Sequence, residues 1–565
     1  MICSPSGICE CVTTASEAFD DMNERMLLRL LSINPDCATL FGQHEPYDRL
    51  LPHGGFQRLK DTLDLIEGWT REAGDIASEG GLSRDQDTSL KVLNYTLDSL
   101  RFVVDDYPLW KMRPDALENP GSAMLMMLIR DYAPLPMRLE SMAARIGELP
   151  RYLEQFRERF RGKRTVRMWT ETARDTCAAF PAFLETVQKL SVENADTRTR
   201  HKMSRSVAAA KDELSKHEAW LVTLLDSSTD DFAMGRKNFE KMLKMRGISY
   251  TPEGLIDLAT AYLEDYKKRR VDLATRISNG GTVVDARRIV ESDSPRDMGE
   301  VIERTKAAVE NARGFVIEQG IATVPEGPSV HVIRTPGFLE ESTSSAATYL
   351  PAVFEKSQDT VYLVTGVKDQ TKLGTLWNYP AIDCTAVHET YPGHHHQGVM
   401  SNRKPWIHQL PHLIYTPDTL SPPYESQEGW ATYCELLMRD RGFLESDRHV
   451  SSLLDYHVST ACRTLSEVNL DCGLATVDEM VDFTARETGY PKSFAETDVK
   501  GFTRMPGYGI CYLLGRHLVT SLKSGLRKEL GSRFSEKKFH DLVAENGNLP
   551  FYILEEEVRW SMAGL

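Results

Sequence analysis

The chain has 565 residues, of which 41% are hydrophobic and 26% charged, and its formal net charge is −15 at pH 7. That length predicts several subdomains or one large helical body, and the composition is that of an ordinary globular protein. The acidic balance argues against nucleic acid or an anionic membrane as the main partner.

The opening stretch MICSPSGICECVTTASEAFDD lacks a basic start and an apolar core, so it predicts no signal peptide and a flexible tail over residues 1–20. No apolar run reaches the roughly 18 residues that mark a membrane span. The 10 cysteines are scattered without a C-x-x-C pair, which predicts reduced thiols in a cytoplasmic protein. Cys9 and Cys11 form a C-x-C, better explained by a mobile tail than by a metal site.

Helical spacing then dominates. DTLDLIEGWTREAG and SLKVLNYTLDSLRFVVDDY carry apolar residues three and four apart. PMRLESMAARIGELPRYLEQFRERF does the same, with Pro150 predicting a break. Long helices are expected through TARDTCAAFPAFLETVQKLSVENA, SVAAAKDELSKHEAWLVTLLDSS and PEGLIDLATAYLEDYKKRRVDLATRI. The texture changes at SNGGT (278–282), and one more helix, MGEVIERTKAAVENARGFVIEQG, ends at Gly320. SVHVI and TVYLVTG are the strand candidates, rich in β-branched and aromatic residues. A helical subdomain over 21–320 and a catalytic subdomain over 321–565, forming one cleft, are the expected organisation.

The chemistry concentrates in VHETYPGHHHQG, residues 387–398. His388-Glu389 opens like the zinc-protease motif H-E-x-x-H, in which two histidines one turn apart share a metal and the glutamate takes a proton from water. The second histidine is displaced: Pro392 occupies its place, and His394 follows six residues after His388. In a regular helix that spacing rotates His394 to roughly −120°, away from His388. A proline and a glycine together break helical regularity, so a kink at Pro392-Gly393 is expected to return His394 to His388. His395 is the competitor, on the same face but about 10.5 Å along the axis. Further on, YESQEGWATYCELLMRD places Glu428 and Glu435 seven apart on one helix face. Glu428 is the candidate third ligand, and Glu435 a candidate partner orienting a histidine ring.

HETYPGHHHQ followed by QEGWATYCE resembles the domain-of-unknown-function-885 family, with its H-E-x-x-P-G-H-H-x-Q and E-G-W-A-x-Y-x-E. MPGYGICYLLGRHL and RFSEKKFHDLVAENGNLPFYILEEEVRW resemble its C-terminal patterns, so the resemblance covers the chain from about residue 130 to its end. It implies a mostly α fold: a large helical zincin-like body of the angiotensin-converting-enzyme and neurolysin type, with a deep cleft and a small β-sheet next to the metal helix. It implies Zn2+ held by His388, His394 and Glu428, and Glu389 as general base. Tyr512 falls on the family's tyrosine, where a phenol could stabilise an oxyanion. The chain departs from the pattern at Gly501 and Phe502, where an Arg-Tyr is usual, at Tyr508, where a glutamine is usual, and at His396, where an apolar residue is usual.

The leading expectation is a zinc metallohydrolase cleaving an amide bond in a short peptide or peptide-like small molecule. One alternative is acyl transfer, condensation or cyclisation on a specialised metabolite at the same site. The other is a non-catalytic helical scaffold. Manganese or iron would suit the same ligands.

Overall fold

The apolar spacing of the first half folds into long helices packed face to face. The computed structural model describes residues 14–335, 346–367 and 370–564, so Cys9 and Cys11 lie outside the described residues. Helices α1 (Leu135–Arg159), α2 (Arg167–Asn194) and α3 (Thr197–Leu225) share one core. Leu139, Met142 and Ile146 of α1 meet Phe180 and Leu184 of α2 and Met203 and Val207 of α3 there. The break expected at Pro150 does not occur, because α1 runs through it. A proline inside a helix costs about 3 kcal/mol. Leu149 and Leu153 are fully buried on either side of it, and this packing outweighs the lost hydrogen bond.

Helix α4 (Pro252–Ile277) begins on Thr251, whose hydroxyl accepts from the Gly254 N–H, and α5 (Met298–Glu318) begins on Asp297 in the same way. The two expected strands form as β1 (Val330–Arg334) and β3 (Thr360–Val364). A third, β2 (Ala346–Tyr349), was not legible: its four residues are all half-buried and give no alternation. The order is β1-β3-β2, with β1 parallel and β2 antiparallel to β3. β3 is buried at every position, as a strand covered on both faces must be.

The second half continues with α6 (Tyr379–Glu389), α7 (His394–Ser401), α8 (Glu428–Asp440), α9 (Asp447–Asp471) and α10 (Cys511–Leu530). The largest core joins both ends of the chain: Phe19 and Trp69 pack in the same cluster as Trp430, Val519 and Met562. The protein is thus mostly helical with one small sheet. No helix among the described residues is long and apolar enough to cross a membrane.

Two contacts fix the second half. Arg246, fully buried, pairs with Glu425 at 2.9 Å and donates to the Ser421 carbonyl at 2.6 Å. α8 and α10 touch backbone to backbone at Gly429 and Gly515, where a Cβ on Gly429 would lie 2.3 Å from the Gly515 carbonyl carbon. Gly429→Ala is therefore expected to lower stability by about 1–3 kcal/mol or more through overpacking. Gly501→Ala, in a helix and with open space around its Cβ, should raise it by about 0.5–1 kcal/mol. Denaturant midpoints of the two variants, compared with wild type, check both signs.

Candidate metal centre

The site starts from a helix that stops. Asn378 caps α6 by accepting the Ala381 N–H, and α6 ends at Glu389. Thr390 to Gly393 form a turn containing a cis Tyr391–Pro392 bond, and α7 begins at His394. The expected kink is thus a full break between two helices. Gly393 is required in the turn because a Cβ there would lie 1.9 Å from the His388 carbonyl oxygen. Its N–H donates to the Val387 carbonyl at 3.2 Å, and Trp430 of α8 donates from Nε1 to the Pro392 carbonyl at 2.8 Å. The break brings His394 edge-on to His388, with ring centroids 4.8 Å apart.

Glu428, at the start of α8, completes the group. Its Oε2 lies 3.5 Å from His388 Nε2 and 3.4 Å from His394 Nε2, and the donor atoms of the three residues all fall within 4.8 Å of one another. All three are largely buried, with side-chain exposures of 9% for His388 and Glu428 and 12% for His394. His388 donates from Nδ1 to Glu435 Oε1 at 2.6 Å, so the Nε2 facing Glu428 carries a lone pair when the ring is neutral. Glu428 Oε2 is buried without a hydrogen-bond donor. Lone pairs converging in a buried space repel, so the group calls for a shared cation or protons. Burial alone would raise the Glu428 carboxyl, but the His394 and His388 imidazoles hold it well below the ordinary range. Burial likewise disfavours the His388 cation, and Glu428 and Glu435 outweigh it and hold its pKa well above the usual value.

A chain of contacts supports this group from behind. Glu435 Oε2 lies 3.4 Å from His457 Nε2, and Arg516 Nη1 donates to His457 Nδ1 at 2.9 Å. Because arginine only donates, His457 Nδ1 is the acceptor and the proton sits on Nε2, facing Glu435. On the open side, Tyr508 donates to Glu428 Oε1 at 2.7 Å, and Tyr512 donates to the Tyr508 hydroxyl at 2.9 Å. Glu467 of α9 holds the loop bearing Tyr508 by accepting the N–H groups of Gly507 and Ile510. Phe502 stacks on Tyr508 at 5.6 Å, and the Arg463 guanidinium lies 4.9 Å from the Tyr512 ring. Tyr456 packs its ring 5.6 Å from His388, and its hydroxyl has no hydrogen-bond partner among the described residues. Glu389 is half-buried and equally free of hydrogen-bond partners among the described residues; its charge reaches Tyr362 of β3 and His388.

The sequence-predicted residues thus divide. His388, His394, Glu428 and Glu435 come together as read, while Tyr512 reaches Glu428 only through Tyr508. His395 does not join them: its Nδ1 bonds the Thr360 hydroxyl at 2.7 Å and its Nε2 the Tyr391 hydroxyl at 2.9 Å. Burial pushes its pKa down to about 3. His396 turns to the Thr323 carbonyl at 2.8 Å. Tyr508 enters the sequence reading only as a departure from the family pattern; it lies in the loop before α10, so helical spacing from Tyr512 carries no signal of their contact. Tyr456, His457 and Arg516 gave no sequence signal, being ordinary members of amphipathic helices.

Comparison with known proteins places the chain in a family. The family model described as "Bacterial protein of unknown function (DUF885)" matches residues 35–558. The chain belongs to the DUF885 family. A solved structure described as "the putative lipoprotein from Colwellia psychrerythraea" superposes on this DUF885 chain with a TM-score of 0.82 at 15% identity, covering 98% of this chain and 100% of that one. A "putative lipoprotein of unknown function from Shewanella oneidensis" superposes with a TM-score of 0.75 at 18% identity, covering 95% and 99%. These likenesses establish that the fold is shared. No curated protein matches this DUF885 chain.

Because both His395 ring nitrogens are hydrogen-bonded, His395→Ala is expected to leave the Thr360 and Tyr391 hydroxyls unpaired and to cost about 1–3 kcal/mol. Equilibrium denaturation of the metal-free protein measures it, and an unchanged midpoint would contradict the assignment of His395 to structure.

Proposed function

We propose that this protein is a metal-dependent hydrolase that cleaves an amide bond in a short peptide or peptide-like small molecule. The observation that carries the reading is the convergence of His388 Nε2, His394 Nε2 and Glu428 Oε2 within 4.8 Å, with Glu428 Oε2 buried and lacking a donor. Two imidazoles and one carboxylate are the donor set of an open catalytic zinc site, and the Glu435 hydrogen bond fixes the His388 tautomer such a site needs. A bound divalent metal, zinc foremost, would polarise a carbonyl and acidify water held beside it.

The protein's own groups supply the rest. Glu389 follows the first ligand, is half-buried and has no hydrogen-bond partner among the described residues, which suits its carboxylate to take the proton of the attacking water and return it to the leaving amine. Tyr456, whose ring packs against His388 and whose hydroxyl has no hydrogen-bond partner among the described residues, is a candidate donor to an oxyanion. Tyr512, proposed for that role from its pattern, spends its proton on Tyr508 and must turn away from it to act. Tyr508 fixes one Glu428 oxygen and leaves the other for the metal. A zincin-like body with a substrate cleft is the fold this reading requires.

A second reading, acyl transfer or cyclisation by the same groups, is favoured by one observation. Phe502 and Tyr508 stack beside Glu428 and make the approach more apolar, which excludes water in favour of another nucleophile. Product analysis with and without an added amine separates the two.

Elemental mass spectrometry of the purified protein is expected to find about one zinc per chain. The metal is lost in His394→Ala and retained in His395→Ala. Glu389→Gln should keep the metal and lower kcat by about 10²–10⁴. Wild-type protein that takes up no metal even when zinc is supplied would overturn the proposal and leave the scaffold reading.

A further inference from the structure

Buried arginines in this protein almost always have a carboxylate. Arg58 pairs with Asp36, Arg113 with Glu118, Arg159 with Asp418, Arg246 with Glu425 and Arg270 with Asp455. Among the buried arginines described, Arg145 and Arg516 form no ion pair. Arg145 lies among backbone carbonyls, donating to those of Pro35 and Tyr47, and the charges of Asp48 and Asp36 reach it. Arg516 has neither. It is 3% exposed, and its recorded hydrogen bonds go to His457 Nδ1 and the Tyr266 hydroxyl, both neutral groups. A guanidinium buried without a directly bonded counter-charge is costly.

Beside it, between α4, α8, α9 and α10, lies a cavity of about 140 Å3. It has room for roughly four or five waters at about 30 Å3 each. Its wall includes Arg269, Arg439 and Arg516 together with Tyr262, Tyr266 and His457. The wall carboxylate, Asp265, lies 3.5 Å from Arg269, and Arg439 also holds the outward-facing Asp440 at 2.6 Å. Glu435 stands behind His457, outside the wall. The wall itself thus presents three guanidinium groups and one carboxylate, with Asp440 and Glu435 offsetting that charge from outside it. After burial itself, the charges of Arg516, Arg439 and Arg269, and then of His388, hold His457 neutral, which places all three arginines in reach of that ring. Because Arg516 donates to the Tyr266 oxygen, the Tyr266 proton remains for another acceptor.

We propose that this cavity is a binding site for a small tetrahedral oxyanion of the sulfate or phosphate class, held by Arg516, Arg439 and Arg269. Planar guanidinium forks suit such an anion, and arginine is the side chain best matched to it. The site is separate from the His388, His394 and Glu428 group and touches it only through His457 and Glu435. Its occupant adds negative charge behind Glu435, on the side that strengthens His388 as a donor to a cation. The proposal does not need the metal reading, and the test is run on metal-free protein so that the two stand or fall separately.

Sulfate is the probe, titrated calorimetrically at constant ionic strength set with sodium chloride. Heat rather than thermal shift is read, because sulfate raises the midpoint of most proteins without binding a site. The expected result is saturable one-to-one binding in the wild type. Arg269→Gln and Arg439→Gln should each weaken it about tenfold, as loss of one charge-assisted hydrogen bond implies. Arg205→Gln, an exposed arginine elsewhere on the surface, should leave it unchanged. Arg516→Met should abolish it, and if that variant fails to fold the two milder variants still decide. Absence of saturable binding in the wild type would overturn the site, as would wild-type affinity in both Arg269→Gln and Arg439→Gln. Tighter binding of acetate than of sulfate would overturn the tetrahedral ligand class.

Discussion

The buried carboxylate of Glu428 is the constraint around which the second half of the protein is arranged. A charge taken out of water must be met by partners, or the fold loses several kcal/mol. Each neighbour of Glu428 follows from that demand. Tyr508 satisfies Oε1 from one side, while two imidazoles face Oε2 from the other. The glycine contact between α8 and α10 lets the backbone bearing Glu428 approach the helix bearing Tyr512 far more closely than side chains would permit. The small sheet serves the same centre from behind: Thr360 of β3 anchors His395 and thereby the first turn of α7, which carries His394.

The three adjacent histidines show what local sequence can and cannot specify. Successive residues of a helix point about 100° apart, so one of His394, His395 and His396 can face a given partner. Their chemistry is identical and their spacing from His388 differs by a residue at a time. What separates them is where α7 starts, and that depends on tertiary contacts: the Trp430 indole on the Pro392 carbonyl and Gly393 seated against the His388 backbone. The proline and glycine announced a disruption, and they did not reveal that it would be a complete break. The same limit applied at Pro150, where the residue type predicted an interruption and the packed faces on both sides overrode it.

Other features were legible because local pattern and tertiary role agree. Helix α4 runs over the residues its apolar spacing marked, and β1 and β3 fall on the two β-branched stretches. Glu428 and Glu435, seven apart on α8, both face the histidines, and their roles follow from which imidazole nitrogen each meets. β2 was not legible because its four half-buried residues are specified by their pairing with β3. His457 and Arg516 were not legible for a related reason. A polar residue on an otherwise apolar helix face reads as a minor irregularity until the facing helix is known. Here the facing groups are Glu435 for one and a cavity for the other.

The comparison of buried charges carries this reasoning one step further. Where a charge serves the fold, the protein supplies its partner: Arg246 lies against Glu425, and Arg463 holds Asp498 with both its Nε and Nη2. Such pairs are closed within the chain and need nothing from outside. Glu428 and Arg516 break that rule with opposite signs. Glu428 Oε2 faces two imidazoles without a hydrogen bond, while Arg516 meets a neutral histidine and a phenol, with Glu435 beyond the histidine. Between them runs a short line of contacts, His388 to Glu435 to His457, in which hydrogen bonds place the proton of His388 on Nδ1 and the acceptor of His457 at Nδ1. A directly bonded partner is what most of the other buried arginines receive. That both remain open at the two ends of one polar line is the physical reason to read α8, α9 and α10 as a unit built for ligands as well as for packing.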